Sequence, residues 1–247
     1  MKETIYTIPV NEAFDDLSEC PFCYMVKKLE DEGVEYALGA AMMEPDYRVL
    51  SNEKGYCNKH FGMLFKKPNK LSLALVMDTH FDELRKKLSE VSKSSRQYAD
   101  TKHGFFKREK QDPIQNAKKS IDQCNRSCII CEKVDDTIER YIRVFFGLWE
   151  NDNEFRRKVE TSKGFCLPHF SKLLDGAKKY LGSSKYAEFC KMICEKEEAE
   201  LERVHNDVHN FTLKFDYRNH SSKWGTEKDG PVRGVEKIAG YIIKDNK

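Results

Sequence analysis

The sequence predicts an all-α protein: two duplicated helical modules, each with a Cys3His metal site, packed together as a helical bundle. Three observations carry this. Apolar residues recur at helical spacing over most of the chain. A Cys-x-x-Cys pair followed by Gly-aromatic-Cys-x-x-His-Phe occurs twice. A balance of 39% hydrophobic to 34% charged residues suits long helices with narrow apolar stripes and solvated outer faces.

The first element in chain order, Ile5–Val10, reads as a short strand, the single one expected. Asn11–Glu19 looks helical. Residues 21–43 show helical spacing through Met25, Leu29, Tyr36 and Ala40, softened at Gly33 and Gly39. Pro68-Asn69 supplies a break and a cap. Behind it, Ala74, Met77, Phe81, Leu84, Leu88 and Val91 form a 3-4 alternation. In the second half Cys194, Leu201, Val204, Val208, Phe211 and Phe215 repeat that stripe. Residues 232–243 read as a short C-terminal helix.

The duplication sets the expected modules at 1–100 and 121–217, with a basic connector at 101–120 and a polar C-terminal segment at 218–247. Cys20-Pro-Phe-Cys23 pairs with Cys128-Ile-Ile-Cys131, and Gly55-Tyr-Cys57-Asn-Lys-His60-Phe61 with Gly164-Phe-Cys166-Leu-Pro-His169-Phe170. Val26 and Val134, Gly39 and Gly147, Tyr47-Arg48 and Phe155-Arg156, and Leu64 and Leu173 keep step. Around the connector, Arg85–Lys119 holds eleven Lys and Arg against four Asp and Glu. A solvated helix end with a linker is its simplest reading. A nucleic-acid patch with Tyr98, Phe105 and Phe106 among the charges is the sharper one.

Two cysteines three apart at a helix start point their sulfurs the same way, and the helix dipole favours the thiolate there. A Cys-x-x-His pair repeats that geometry with one imidazole. Each copy thus supplies the ligand set of a tetrahedral structural zinc site. Chain order groups Cys20, Cys23, Cys57 and His60 in one site and Cys128, Cys131, Cys166 and His169 in the other. An exchange of halves, joining Cys20 and Cys23 to Cys166 and His169, is also permitted by the spacing. Two zinc ions are the expected cofactors, with an iron–sulfur cluster as the alternative, since Cys3His sets also hold clusters. Four protein ligands leave no open position for substrate, which argues against metal-dependent hydrolysis and, with it, against an enzyme.

Other constellations carry less. A glutaredoxin-type dithiol needs a βαβ context that is missing around Cys20-Pro-Phe-Cys23. Cys124, Cys128 and Cys131 have the three-thiol spacing of radical S-adenosylmethionine enzymes, without the β/α units those enzymes need. His205 and His209 lie one turn apart but lack the glutamate of helical zinc enzymes. Cys190 and Cys194 read as core cysteines, and His80 as an ordinary structural histidine.

No apolar signal region opens residues 1–30, and nothing approaches the roughly 18 apolar residues of a membrane helix. The expectation is a cytoplasmic protein with reduced thiols, no membrane association and a protein partner. Oligomeric state is not readable from the sequence. With the two cysteine–histidine units and the N-terminal Ile5-Tyr-Thr-Ile-Pro-Val-Asn-Glu-Ala-Phe14, the whole chain resembles a family of uncharacterised bacterial cytosolic proteins. That family carries a domain of unknown function and is frequent in anaerobes. The resemblance implies no activity, and an anaerobic setting would favour iron–sulfur ligation.

Overall fold

Proline opens several helices of this chain, where its missing N–H removes a group that would have no intrahelical partner. In a computed structural model, which describes residues 5–100, 113–218 and 223–241, the helices are α1 (Thr7–Asp15), α2 (Pro21–Leu38), α3 (Pro45–Lys54), α4 (Asn58–Lys66), α5 (Lys70–Asp100), α6 (Pro113–Arg126), α7 (Ile129–Asn151), α8 (Asn153–Thr161), α9 (Leu167–Tyr180), α10 (Ser183–Leu213) and α11 (Gly230–Ala239). No strand occurs among the described residues.

Ile5–Val10 is therefore not a strand, since helix begins at Thr7. Thr7, Val10, Ala13 and Phe14 are all buried, so helical spacing lets one face enter the core and overrides the β-preference of Thr and Val. Pro9 is tolerated because it falls in the first turn. Gly33 stays inside α2, where a Cβ would approach Ile130 Cγ2 to 3.1 Å. Gly39 ends that helix, and Ala40–Met43 form a 3-10 turn. Asn69 caps α5 by accepting the Ser72 N–H at 3.1 Å.

The chain forms two compact units, residues 1–28 with 136–247 and residues 29–135. These units are not the successive copies: each contains segments of both.

In the unit of residues 1–28 and 136–247, the core is aromatic. Phe145 is fully buried, with the rings of Phe14 and Phe155 at centroid distances of 5.7 Å and those of Phe22 and Phe189 at 5.9 and 6.0 Å. Most of these pairs are edge-to-face, the arrangement the ring quadrupole favours. On α10 the buried positions are Phe189, Ile193, Glu197, Val204 and Asp207. The expected stripe is corrected at both ends, for Cys194 and Phe215 are exposed. The C-terminal helix exists as α11 and packs on α9 and α10, Arg233 pairing with Asp207 at 2.7 Å.

In the unit of residues 29–135, Val34, Ala37, Leu38, Leu64, Leu73, Val76 and Ile130 form a leaner aliphatic core. Here too the stripe is turned. Leu73 and Val76 are the buried residues of α5, while Phe81 and Leu88 are exposed. The α5 helix runs unbroken to Asp100, and α6 occupies 113–126, so the second part of the expected connector is helical. Phe105, Phe106 and the rest of 101–112 lie outside the described residues.

Truncating the ring at the centre of the aromatic core, Phe145→Ala, should destabilise the protein by about 3–5 kcal/mol. Urea denaturation measures this, and a cost below about 1 kcal/mol would contradict the packing described.

Candidate metal centres

The first cysteine of every pair stands at a helix start. Helices α2 and α7 begin directly after Cys20 and Cys128, and Cys57 and Cys166 are the N-caps of α4 and α9. Each cysteine carbonyl accepts the first helical bond: Tyr24 N–H donates to Cys20 O at 3.2 Å, Phe61 to Cys57 at 2.9 Å, Glu132 to Cys128 at 3.1 Å and Phe170 to Cys166 at 2.8 Å. The second ligand, three residues on, then lies over the same turn. Gly55 and Gly164 precede the capping cysteines with φ of +65° and +73°, the left-handed region that glycine enters without a Cβ penalty.

Donor atoms converge in two groups, Cys20, Cys23, Cys166 and His169, and Cys57, His60, Cys128 and Cys131. Within each, the four ligand atoms lie within 4.8 Å of one another. In the first, Cys23 Sγ is 3.5 Å from Cys166 Sγ, and His169 Nδ1 is 3.5, 3.4 and 3.1 Å from the sulfurs of Cys20, Cys23 and Cys166. In the second, Cys57 Sγ is 3.6 Å from Cys131 Sγ, and His60 Nδ1 is 3.3, 3.2 and 3.3 Å from Cys57, Cys128 and Cys131.

All eight expected residues thus take part, but the grouping by chain order is corrected. The halves are exchanged between copies, and each group lies within one compact unit. Helix lengths give the reason. The 18 residues of α2 span about 27 Å, and the 10 residues of α3 could recover at most about 15 Å of that. In the second copy the corresponding lengths are 23 and 9 residues. Neither copy brings its own Cys-x-x-His to its own Cys-x-x-Cys.

The surroundings of the two groups differ. Beside His60, Nε2 is 3.4 Å from Oε1 of the buried Glu30, which also accepts Lys59 Nζ at 2.6 Å. Burial opposes ionisation of the Cys128 thiol, yet hydrogen bonds from His60 and from the Cys131 and Cys57 N–H groups bring it down to about 6. His60 rises to about 10 against its burial, through bonds to Cys128 and Glu30. Cys131 is raised, first by burial. In the other group Cys20 is raised by burial, and Cys23 by its hydrogen bond to Cys166. Cys166 is held low because Cys20 and Cys23 donate to it. The His169 ring lies against Phe22, centroids 5.7 Å apart.

Sequence reasoning passed over the groups that hold these loops. Glu197, buried on α10, accepts the Phe165 N–H at 2.5 Å, and burial pushes its carboxyl up to about 7. Lys237 of α11, also buried, donates to the carbonyls of Lys163 and Phe165. At the matching loop of the other unit, His80 donates Nδ1–H to Asn52 O at 2.7 Å, its ring filling the space a Gly55 Cβ would need. A signal for Glu197 existed: it follows Ile193 by four positions, inside an apolar stripe.

Other candidates stay outside. Cys124 does not join Cys128 and Cys131, so the three-thiol arrangement does not form; its sulfur instead receives Lys87 Nζ at 2.9 Å. Cys190 is half-buried and Cys194 exposed, which corrects their reading as core residues. His205 and His209 are exposed, ring centroids 6.5 Å apart, and meet no third ligand among the described residues.

A family model covers residues 1–245 and carries the description "Family of unknown function (DUF6062)". The chain belongs to that family. No curated protein and no solved structure matches it significantly. Membership assigns no chemistry to DUF6062, so the donor geometry is the functional information at hand. Among the described residues no helix is long and apolar enough to cross a membrane.

Two outcomes follow for a member of DUF6062 built in this way. Fragments 1–100 and 121–217 each keep three of the candidate ligand cysteines and one ligand histidine but only half of either group, so expressed singly they should show weak, incomplete zinc ligation. Cobalt spectra with full tetrahedral thiolate bands from either fragment alone would contradict the exchanged grouping. In the intact protein, the protonated Cys20, Cys23, Cys131 and His60 must lose their protons to ligate. Zinc added to the apo-protein at neutral pH should therefore release at least two protons per ion, measured in weak buffer with an indicator dye.

Proposed function

We propose that the chain is a zinc protein with two structural ions, one held by Cys20, Cys23, Cys166 and His169 and the other by Cys57, His60, Cys128 and Cys131. One observation carries this reading. The donors in each group are 3.1–3.6 Å apart where they touch, and all lie within 4.8 Å. Zinc–sulfur bonds of about 2.3 Å in a tetrahedron give ligand separations of about 3.8 Å. A four-iron cluster sets each ligand on a different iron at the outside of a cube, which spreads the donors much further. The spacing favours one ion per group over a cluster.

The donor set fits such an ion in charge as well as in distance. Two helix N-termini face each group, and their dipoles favour thiolates. Glu30, close to His60 Nε2, would orient that ligand and raise its basicity. With four protein ligands, an ion at either position would staple segments far apart in the chain, Cys23 being 143 residues from Cys166. The role that suits this is a rigid scaffold for a protein partner in a reducing, cytoplasmic setting.

Metal analysis of protein purified without oxygen tests the reading. About two zinc ions per chain in a colourless sample are expected. Cys166→Ser should leave about one, and Cys128→Ser together with Cys166→Ser none. A brown sample with iron and sulfide would replace the scaffold by a redox protein. Loss of both ions from Cys166→Ser alone would overturn the two-site assignment.

A further inference from the structure

The unit of residues 29–135 contains a cavity of about 860 Å³ on the outer side of Cys57, between α4, α5 and α6. Its volume lies within the range of small-molecule sites, about 300–1,000 Å³. The walls are aromatic and soft: Phe61, Phe65, Phe81 and Met77 face it, together with Leu73 and Leu84. Phe65 and Phe81 are largely exposed, an unfavourable state for two rings facing the same space. The α5 stripe that failed to enter the core supplies Met77, Phe81 and Leu84 to this wall.

Polar groups are few. Asn58, His80, Cys124 and Asn125 line the cavity, and among the described residues no carboxylate does. His80 gives its Nδ1–H to Asn52 O, so in the neutral ring Nε2 is left as an acceptor. Lys70 brings its ammonium to the lining, over the face of Phe65 at 4.3 Å. Behind the wall, Lys87 Nζ lies 2.9 Å from Cys124 Sγ. The formal charge at this cavity is therefore positive.

The duplicate serves as an internal comparison. Cys166, the counterpart of Cys57, is fully buried, and a Cβ on Gly240 would stand 3.8 Å from its sulfur. There the C-terminal segment occupies the space beside the thiols. Cys57, by contrast, is only half-buried and forms part of the cavity wall.

We infer that this cavity is a binding site for a flat aromatic small molecule bearing one acidic group, the rings held between Phe61, Phe65, Phe81 and Met77 and the acid directed to Lys70. Aromatic and thioether walls favour stacked and sulfur–π contacts with such a body. The absence of a lining carboxylate removes the repulsion an anion would otherwise meet. The inference goes beyond the zinc reading and does not depend on which ion is bound.

The probe is 1-anilinonaphthalene-8-sulfonate, titrated by fluorescence into the full-length metal-loaded protein. One saturable site per chain is expected. Met77→Trp, which fills the cavity, and Lys70→Glu, which reverses its charge, should each weaken binding at least tenfold. Phe215→Ser, at an exposed position just beyond α10, should leave it unchanged. The uncharged N-phenyl-1-naphthylamine should bind at least tenfold more weakly. Circular dichroism and zinc content are recorded on the same samples. Unchanged binding by a folded Met77→Trp variant, or no saturable binding by the wild type, would overturn the site. Equal binding of the uncharged analogue would overturn the acidic-group assignment. Saturable binding in a protein that holds no zinc would sink the zinc reading while supporting this one.

Discussion

Four helix N-termini carry the eight candidate ligands, and they meet in pairs: α2 with α9, and α7 with α4. In each meeting, four residues at two helix N-termini present three sulfurs and one imidazole nitrogen to a common point. Without a cation, that point would gather thiols whose ionisation is mutually obstructed, as the raised Cys20, Cys23 and Cys131 show. With one, every thiolate gains an opposite charge and the positive ends of two helices. Helix lengths, the placing of Gly55 and Gly164 and the docking of α4 and α9 all serve this meeting.

Duplication supplied two equal frames, and the sequence then treated them differently. In one, the loop before Cys166 is clamped by Glu197 and Lys237, two buried groups of opposite charge on α10 and α11, within an aromatic core centred on Phe145. Burial is tolerated there because Glu197 accepts the Phe165 N–H and Lys237 donates to two carbonyls; removing one group alone would leave the other buried without its counterpart. In the other frame, His80 takes the place over Gly55, and Glu30 supports the ligand histidine instead. Its core is aliphatic and smaller, so an ion bound there would be a larger share of what holds that unit together.

The difference also separates roles. A fully buried thiol set under a C-terminal segment suits a staple. A set whose Cys57 borders an aromatic cavity joins the staple to a surface where another molecule can be held. The frames share the ligand geometry and diverge in what lies one layer out.

Much of this was legible in the residues themselves. Paired spacing named all eight candidate ligands, because a helix start with donors three apart is a local property. Helical class, the left-handed glycines and the Asn69 cap were local too. Chain order could not decide which half meets which, since that depends on how far α2 and α7 carry the chain against the shorter α3 and α8. Helical periodicity gave the α5 stripe its residues but not its direction: Leu73 and Val76 enter the core, and Met77 and Phe81 face the cavity. Glu30, Glu197 and Lys237 look like solvated charges in a chain that is 34% charged. Only tertiary packing, by removing them from water, made them part of the sites.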